Sequence, residues 1–199
     1  MPNWCFTNIN IEGNKEELSL LYKKLKEATS KNYVDNSFGT GWLGNIVESL
    51  GRSYREVSCR GTVDYMELYS DHLYIQIESA WCAHLRPFLL AMEKHAPSAQ
   101  LFYVAEEEGM EEFYTNDPDY IDKYLIDVVG DWEGAPKWLA EEGRIECLET
   151  ELRKILLEIL GDKKNEKKTT KELIELVNHE SDYCLSIHQY EYYSEYDCN

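Results

Sequence analysis

Hydrophobic and polar side chains alternate with a period of two through WCFTNINI, residues 4–11. One face of this stretch carries mainly small and aliphatic side chains, and the other carries aromatic and amide ones. The two sets are Cys5, Thr7, Ile9 and Ile11, and Trp4, Phe6, Asn8 and Asn10. Such alternation predicts a β-strand with one buried face. We therefore expect Cys5 to point into a core and Trp4 and Phe6 to lie on an open sheet face, with Tyr74 beside them.

From residue 12 to residue 105, some segments place their hydrophobic residues at the spacing of a helix and others at the spacing of a strand. The predicted elements are a helix at 15–29, a hairpin of strands at 62–69 and 72–79, a helix at 86–95 and a strand at 100–105, with a short helix also compatible with GWLGNIVESLG at 41–51. Together with 4–11 they give the order β-α-β-β-α-β. This order is typical of the ferredoxin-like plait, in which both helices cover one face of the sheet.

The pattern changes at residue 106, where an acidic stretch extends to residue 133. A strand is predicted within it at 121–129, followed by helical spacing over 136–160, a helix near 171–179 and a strand in the tail. We therefore predict an α+β fold in which a ferredoxin-like domain, 1–115, carries an acidic insertion. A helical C-terminal extension, 116–199, is expected to pack on the plait.

Acidic residues outnumber basic ones by 38 to 20, which gives the 199-residue chain a formal net charge of −18. Such a surface repels nucleic-acid phosphates and anionic membranes, so neither is expected as a direct partner. It favours a basic protein partner, and a homo-oligomer stays open. No apolar run approaches the ~20 residues of a membrane span, and no export signal precedes the first strand. We therefore predict a cytoplasmic protein whose six cysteines are reduced.

Few residues of the chain form a recognisable chemical motif. No two cysteines form a CxxC pair, and no GxSxG, P-loop or GxGxxG sequence occurs. Cys82 and His84 are the exception, because their side chains could supply a nucleophile and a base, or two metal ligands, if carboxylates converge on them. No cofactor, metal ion or catalytic residue is predicted from the sequence.

The start MPNWCFTNINIEG resembles the YubB ferredoxin-like domain family, whose members open M-[AP]-N-W-C and end that strand in a glycine. Three further stretches fit the resemblance: GTGWL at 39–43, SAWCAHLRPF at 79–88 and AEEEGMEEF at 105–113. The chain departs from the family at Cys82, where relatives usually carry Ser-Pro, and at Asn8, one place from the usual asparagine. The resemblance covers roughly residues 1–115 and implies an origin in bacteria or their mobile elements. It implies no catalytic residues, because the family has no established activity.

The sequence therefore favours a non-enzymatic binding or interaction module with an acidic surface and a protein partner. The candidate surface residues are Trp4, Phe6, Trp42, Tyr74, Trp81, Glu106, Glu107 and Glu108. Two alternatives stay open. One is an acidic decoy that imitates DNA and occupies a basic nucleic-acid-binding protein, and it requires one continuous negative face. The other is an enzyme or metal-dependent protein built from Cys82, His84 and nearby carboxylates.

Overall fold

The computed structural model of the chain describes residues 3–35, 37–128, 136–161, 163–180 and 185–193. Its residues group into two units, unit 1 of 1–118 with 192–199, and unit 2 of 119–191. The predicted packing of 116–199 on the preceding domain stays a prediction. Part of the acidic stretch, 129–135, lies outside the described residues, and so do Cys184 and Cys198.

The helices and strands follow the predicted boundaries closely in the first half of the chain. Its elements are β1 Trp4–Glu12, α1 Lys15–Ala28, α2 Leu43–Ser49, β2 Gly61–Leu68, β3 His72–Ala80, α3 Arg86–His95, β4 Gln100–Glu107 and β5 Glu112–Thr115. The remaining ones are β6 Lys123–Val128, α4 Lys137–Glu142, β7 Arg144–Leu148, α5 Glu149–Leu160, α6 Thr170–Glu180, β8 Leu185–Gln189 and β9 Glu191–Tyr192. Among the described helices, none has both the length and the apolar run needed to cross a membrane.

A six-stranded sheet in the order β2-β3-β1-β4-β5-β9 forms the centre of unit 1. The pairs β2–β3, β3–β1, β1–β4 and β4–β5 are all antiparallel. The mixed α+β class is thereby confirmed, but the sheet has more strands than the predicted plait and its full order differs from a four-stranded one. Strand β5 was missed because its four residues, EFYT, are too few to show a period inside an acidic stretch.

The core of unit 1 lies on one face of this sheet, as the alternation in β1 predicts. Cys5, Ile9 and Ile11 are fully buried there, together with the apolar stripe of α1. On the other face, Trp4 and Phe6 keep 46% and 50% of their surface exposed. Cys5 is therefore a small core residue, and its aromatic neighbours belong to the opposite face of the same strand.

Unit 2 contains a three-stranded antiparallel sheet in the order β7-β6-β8 and its own hydrophobic core. The continuous helix predicted over 136–160 is wrong, because Gly143 ends α4 with a φ of 72° that favours glycine. Residues Arg144–Leu148 then form β7, in which Ile145 pairs with Ile126 of β6. The helical spacing of Ile145 and Leu148 with α5 arises because β7 runs directly into that helix.

Candidate functional site: an aromatic cavity in unit 1

A cavity of about 700 Å³ opens at the end of the unit 1 sheet where β1 begins and β3 ends. Trp4 and Ala80, which are register partners at that end, form part of its wall. The loop 54–60 and the start of β2 form another part, and Phe38 and Trp42 complete the lining. Pockets that hold small molecules have volumes of roughly 300–1,000 Å³, so this cavity is large enough for such a ligand.

Backbone hydrogen bonds hold the loop that lines the cavity. The N–H of Ala80 donates at 2.8 Å to the carbonyl of Arg60, the last residue of the loop before β2. The N–H of Val63 donates to the carbonyl of Gly41 at 2.9 Å, and Trp42 forms an isolated bridge with Thr62. The segment before α2 therefore runs beside the start of β2 and brings its aromatic side chains to the cavity.

Three aromatic rings are in contact along the cavity wall. The Phe38 ring stacks on Trp42 with centroids 5.3 Å apart, and the Tyr54 ring meets Trp42 edge-on at 5.1 Å. Trp42 was predicted on an exposed surface, but only 6% of its surface is accessible. Gly44 makes this burial compatible with the fold, because a Cβ atom there would lie 2.3 Å from the Trp42 ring. Trp42 is therefore an interior residue that lines a cavity.

The loop beside the cavity is basic, although the chain as a whole is acidic. Three arginines lie between residues 52 and 60, and Glu56 is the only acidic residue in that range. The Arg55 guanidinium lies over the Tyr54 ring at 5.7 Å, and its Nε donates to the Tyr54 hydroxyl at 3.4 Å. Arg55 and Arg60 both line the cavity, as do Glu56 and Glu78. The cavity therefore combines aromatic rings with charged groups of both signs.

Ser58 and His84 form a side-chain pair at the edge of the cavity. The Ser58 Oγ lies 2.7 Å from His84 Nδ1, and His84 Nε2 lies 3.1 Å from the carbonyl of Ala80. A carbonyl oxygen only accepts, so Nε2 carries the proton in the neutral ring and Nδ1 accepts from the serine hydroxyl. Burial lowers the pKa of the His84 imidazole below its ordinary value of 6.5, and the charge of Arg60 acts in the same direction. At neutral pH the ring is therefore uncharged.

Cys59, the next residue along the loop, is chemically quiet. Its thiol is buried and its Sγ lies 3.7 Å from the carbonyl oxygen of Tyr54, to which it donates. Burial, with a smaller contribution from Glu48, raises the pKa of this thiol to about 11. Since the thiolate is the reactive form, Cys59 is not the nucleophile of this cavity.

The open sheet face carries several of the predicted surface residues. The Tyr74 hydroxyl donates to Asn8 Oδ1 at 2.8 Å, and the Gln76 amide donates to the same oxygen at 3.1 Å. Tyr74 is half-buried, whereas Trp4 and Phe6 are about half exposed. Trp4 also lines the cavity, so it joins the open face to the cavity.

Trp81 follows directly after β3 and lies in a rarely occupied backbone conformation. Its φ is 74°, and its N–H donates to the carbonyl of Asn3 at 2.9 Å. The side chain keeps 45% of its surface exposed but does not line the cavity. Trp81 and Trp4 are therefore equally exposed tryptophans in different surroundings.

The three predicted surface glutamates lie in three different environments at the turn between β4 and β5. Glu107 is 1% exposed, and its carboxylate accepts from the N–H groups of Gly109 and Met110 at 3.1 and 2.8 Å. The prediction that Glu107 lies on the surface is wrong, because its buried carboxylate binds the backbone N–H groups of the turn that follows β4. Glu106 is half-buried in register with Phe6, and Glu108 is exposed. These residues do not form one acidic surface.

Sequence reasoning missed Ser58, Tyr54 and the arginines of the loop, because residues 31–61 show no helical or strand period over most of their length. A clustering of arginines within an acidic chain, close to Phe38 and Trp42, was the available signal. The predicted partner of His84 was Cys82, but the structure pairs His84 with Ser58. Among the described residues, no group of three or more His, Cys, Asp or Glu side chains is arranged to hold a metal ion.

The acidic charge is shared between the two units. Residues 1–118 with 192–199 contain 20 acidic and 10 basic side chains, and residues 119–191 contain 18 acidic and 10 basic ones. This near-even division lends no support to a single acidic surface. Comparison with family models, with curated proteins and with solved structures finds no match for this chain. The geometry of the cavity is therefore the basis for assigning a function.

Proposed function

We propose that the chain is a binding module whose ligand is a small planar molecule with an anionic group, held in the aromatic cavity. The contact between Phe38, Trp42 and Tyr54 around about 700 Å³ of space carries this proposal. Aromatic rings favour stacking partners and bury large apolar areas. Binding pockets typically combine such a lining with a few polar groups that orient the ligand.

Arg55 and Arg60 supply the groups that would bind an anionic part of the ligand, and the carboxylates of Glu56 and Glu78 line the same cavity. Arg55 is exposed and lies over the Tyr54 ring, which positions its guanidinium beside the aromatic wall. Arg60 is also exposed and lines the cavity. Arginine forks bind carboxylates, sulfonates and phosphates through paired hydrogen bonds. A negative group on the rim with a flat body inside therefore fits this lining.

Titration with anilinonaphthalene sulfonate, a fluorescent anion with a flat naphthalene ring, tests the proposal. We expect the wild-type chain to enhance the fluorescence of the dye at one site. The substitution Trp4→Ala should raise its Kd about tenfold, the effect of losing an aromatic contact worth roughly 1.4 kcal/mol. Phe38→Ala should have a similar effect. Because Trp4 lies on both the cavity and the open sheet face, whereas Phe38 lines only the cavity, this second variant shows which of the two surfaces binds the dye.

Trp81→Ala is the matched control, because Trp81 is as exposed as Trp4 but lies outside the cavity lining. It should bind the dye as the wild type does. Equal weakening by Trp81→Ala and Trp4→Ala would indicate general adsorption to surface aromatics. Wild-type binding by both cavity variants would also contradict the proposal.

We further propose that β1 to β4 with α1 and α3 form a ferredoxin-like plait to which β5 and β9 are added. The order β2-β3-β1-β4 within the larger sheet, with each neighbouring pair antiparallel, supports this assignment. Membership of the YubB family, an origin in bacteria or their mobile elements and a cytoplasmic location are proposals that rest on the N-terminal motif and the composition. The acidic decoy is not carried further, because no observation on the described residues favours it.

A further inference from the structure

We infer that Ser58 and His84 form an acyl-transfer pair, in which the serine attacks the ester carbonyl of an aromatic ester bound in the cavity. The inference rests on the proposed function, because the aromatic walls would hold the planar part of the ester. The juxtaposition that carries it is a serine hydroxyl on the cavity wall, 2.7 Å from the acceptor nitrogen of a buried imidazole. The two residues lie 26 positions apart in the chain.

The imidazole is held in the orientation and tautomer that a general base requires. His84 is 6% exposed, and its Nε2–H donates to the Ala80 carbonyl at 3.1 Å, so the ring cannot turn without losing that bond. The remaining nitrogen, Nδ1, points at the Ser58 hydroxyl. A nucleophile next to a base, with the base oriented by a third group, is the arrangement that activates serine.

The hydroxyl is accessible although its base is buried. Ser58 is an exposed residue of the loop and lines the cavity, whereas His84 lies beneath the surface. A bound ester therefore reaches Oγ while little water reaches the imidazole. Arg60 lines the same cavity, and its positive charge contributes to lowering the pKa of His84. It offers the positive charge that stabilises an oxyanion in such reactions.

The reaction balances without an oxidant, a reductant or a metal ion. The Ser58 Oγ forms a bond to the carbonyl carbon while its proton passes to His84 Nδ1. The bond from that carbon to the aryloxy oxygen then breaks, and the leaving phenolate receives the proton. In the second half, water gives a proton to Nδ1 and its oxygen bonds to the acyl carbon. Ser58 Oγ departs and takes the proton back, which releases the carboxylic acid.

The probe for this inference is para-nitrophenyl acetate, which combines a planar ring with an activated ester. We expect peptide mass spectrometry to locate the acetyl group on Ser58 of the wild-type chain, with a burst of nitrophenolate. Ser58→Ala should abolish the burst. His84→Gln should retain a donor to the Ala80 carbonyl but lack the base, and should slow acetylation of Ser58 about 100-fold. A role for His84 that is only structural would leave this rate unchanged.

Ser186 provides a matched control, because it is hydrogen-bonded to His188 on β8 but does not line the cavity. Ser186→Ala should show the wild-type burst. If His84→Gln fails to fold by circular dichroism, the pH profile of Ser58 acetylation in the wild-type chain replaces it as the test. The rate should level off at high pH, where His84 Nδ1 is unprotonated and acts as the base, and should fall at low pH, where it is protonated; a profile without such a plateau would overturn the inference.

The two proposals fail in different ways. A wild-type chain that binds anilinonaphthalene sulfonate at the cavity but is acetylated only on lysines would overturn the acyl-transfer pair and leave the binding module intact. A chain that does not bind the dye and is not acetylated on Ser58 would overturn both the binding module and the acyl-transfer pair. Acetylation of Ser58 at the same rate in wild type and His84→Gln would also refute the role of His84 as the base.

Discussion

His84 shows how a single residue acquires its properties from its surroundings. The sequence marks it only as a histidine two positions after Cys82. In the folded chain it is buried, it is bonded on both nitrogens, and its pKa is lowered by burial and by the charge of Arg60. Its hydrogen-bond partners are the Ala80 carbonyl and the Ser58 hydroxyl, the charge that lowers its pKa is that of Arg60, and none of these residues is adjacent to it in sequence.

The lowered pKa of His84 predicts a pH dependence of stability. Below pH 6.5 the unfolded chain takes up a proton at this histidine more readily than the folded chain does. The neutral His84 imidazole therefore makes its full contribution to the stability of the fold above pH 6.5. That contribution is lost as the pH falls towards the lower pKa of the folded chain. Urea denaturation followed by tryptophan fluorescence should show a steeper loss between pH 7 and pH 5 for the wild type than for His84→Gln.

Exposed His179 on α6 provides the control for this measurement. His179→Gln should keep the pH dependence of stability seen in the wild type. The titration of carboxylates affects the wild type and this variant alike, so the comparison isolates the effect of burying a histidine. Parallel curves for the wild type and His84→Gln would mean that burial does not disfavour the charged imidazole in this chain.

At the scale of elements, β4 and β5 show how a side chain extends a sheet. Past the end of β5, Asn116 takes the place of a strand residue: its Oδ1 accepts from the Tyr103 N–H, and its Nδ2 donates to the Leu101 carbonyl, both at 2.8 Å. The Thr115 Oγ1 donates to the Tyr103 carbonyl at 2.5 Å. A strand of four residues is therefore anchored by side chains, which a periodicity search does not detect.

Replacing Asn116 should destabilise unit 1. The substitution Asn116→Ala removes the partners of two buried backbone groups, so we expect the free energy of unfolding to fall by about 2 to 4 kcal/mol. Chemical denaturation measures this loss. Asn32→Ala, at an exposed loop position of the same unit, is the control and should change stability by less than about 0.5 kcal/mol. A similarly small effect at Asn116 would show that water replaces the amide.

At the scale of the whole molecule, the described residues form two hydrophobic cores that share no residue. One is built on β1, β3, β4 and the helices that cover them, and the other on β6, α5 and α6. Acidic side chains outnumber basic ones in both corresponding units, by 20 to 10 in unit 1 and by 18 to 10 in unit 2. Each unit therefore meets the requirements of a folded body, a buried core and a charged surface, from its own residues.

Separate cores predict a local response to a core substitution. Leu156 of α5 is fully buried in unit 2, so Leu156→Ala should cost about 2 to 5 kcal/mol there. Hydrogen exchange followed by mass spectrometry should then quicken in peptides of α5 and α6 and stay unchanged in β1 and β3. Lys154→Ala, at an exposed position of the same helix, should leave both regions unchanged. Faster exchange throughout the chain would show that the two cores unfold together.

Local sequence predicts those helices and strands whose hydrophobic period is long enough to recognise. The alternation in β1, the stripe of α1, the β2–β3 hairpin and the start of α3 at Arg86 follow from local sequence, because the side-chain direction of a strand or helix is fixed by its backbone period. The same rule predicts that Cys5 and Trp4, which are neighbours in the chain, point to opposite faces of the sheet. It did not detect β5 or β7, because short strands beside a turn or a helix leave no clear period.

The residues of the candidate site are brought together by contacts between segments that lie far apart in the chain. Ser58 meets His84, and Trp42 meets both Phe38 and Tyr54, because β2, β3 and the loop before them are brought to one end of the sheet. The burial of Trp42 and Glu107 likewise depends on neighbours that are close in space, such as the Gly44 backbone and the turn at Gly109. Local patterns fix how each element folds, whereas contacts across the fold fix the chemistry of its side chains.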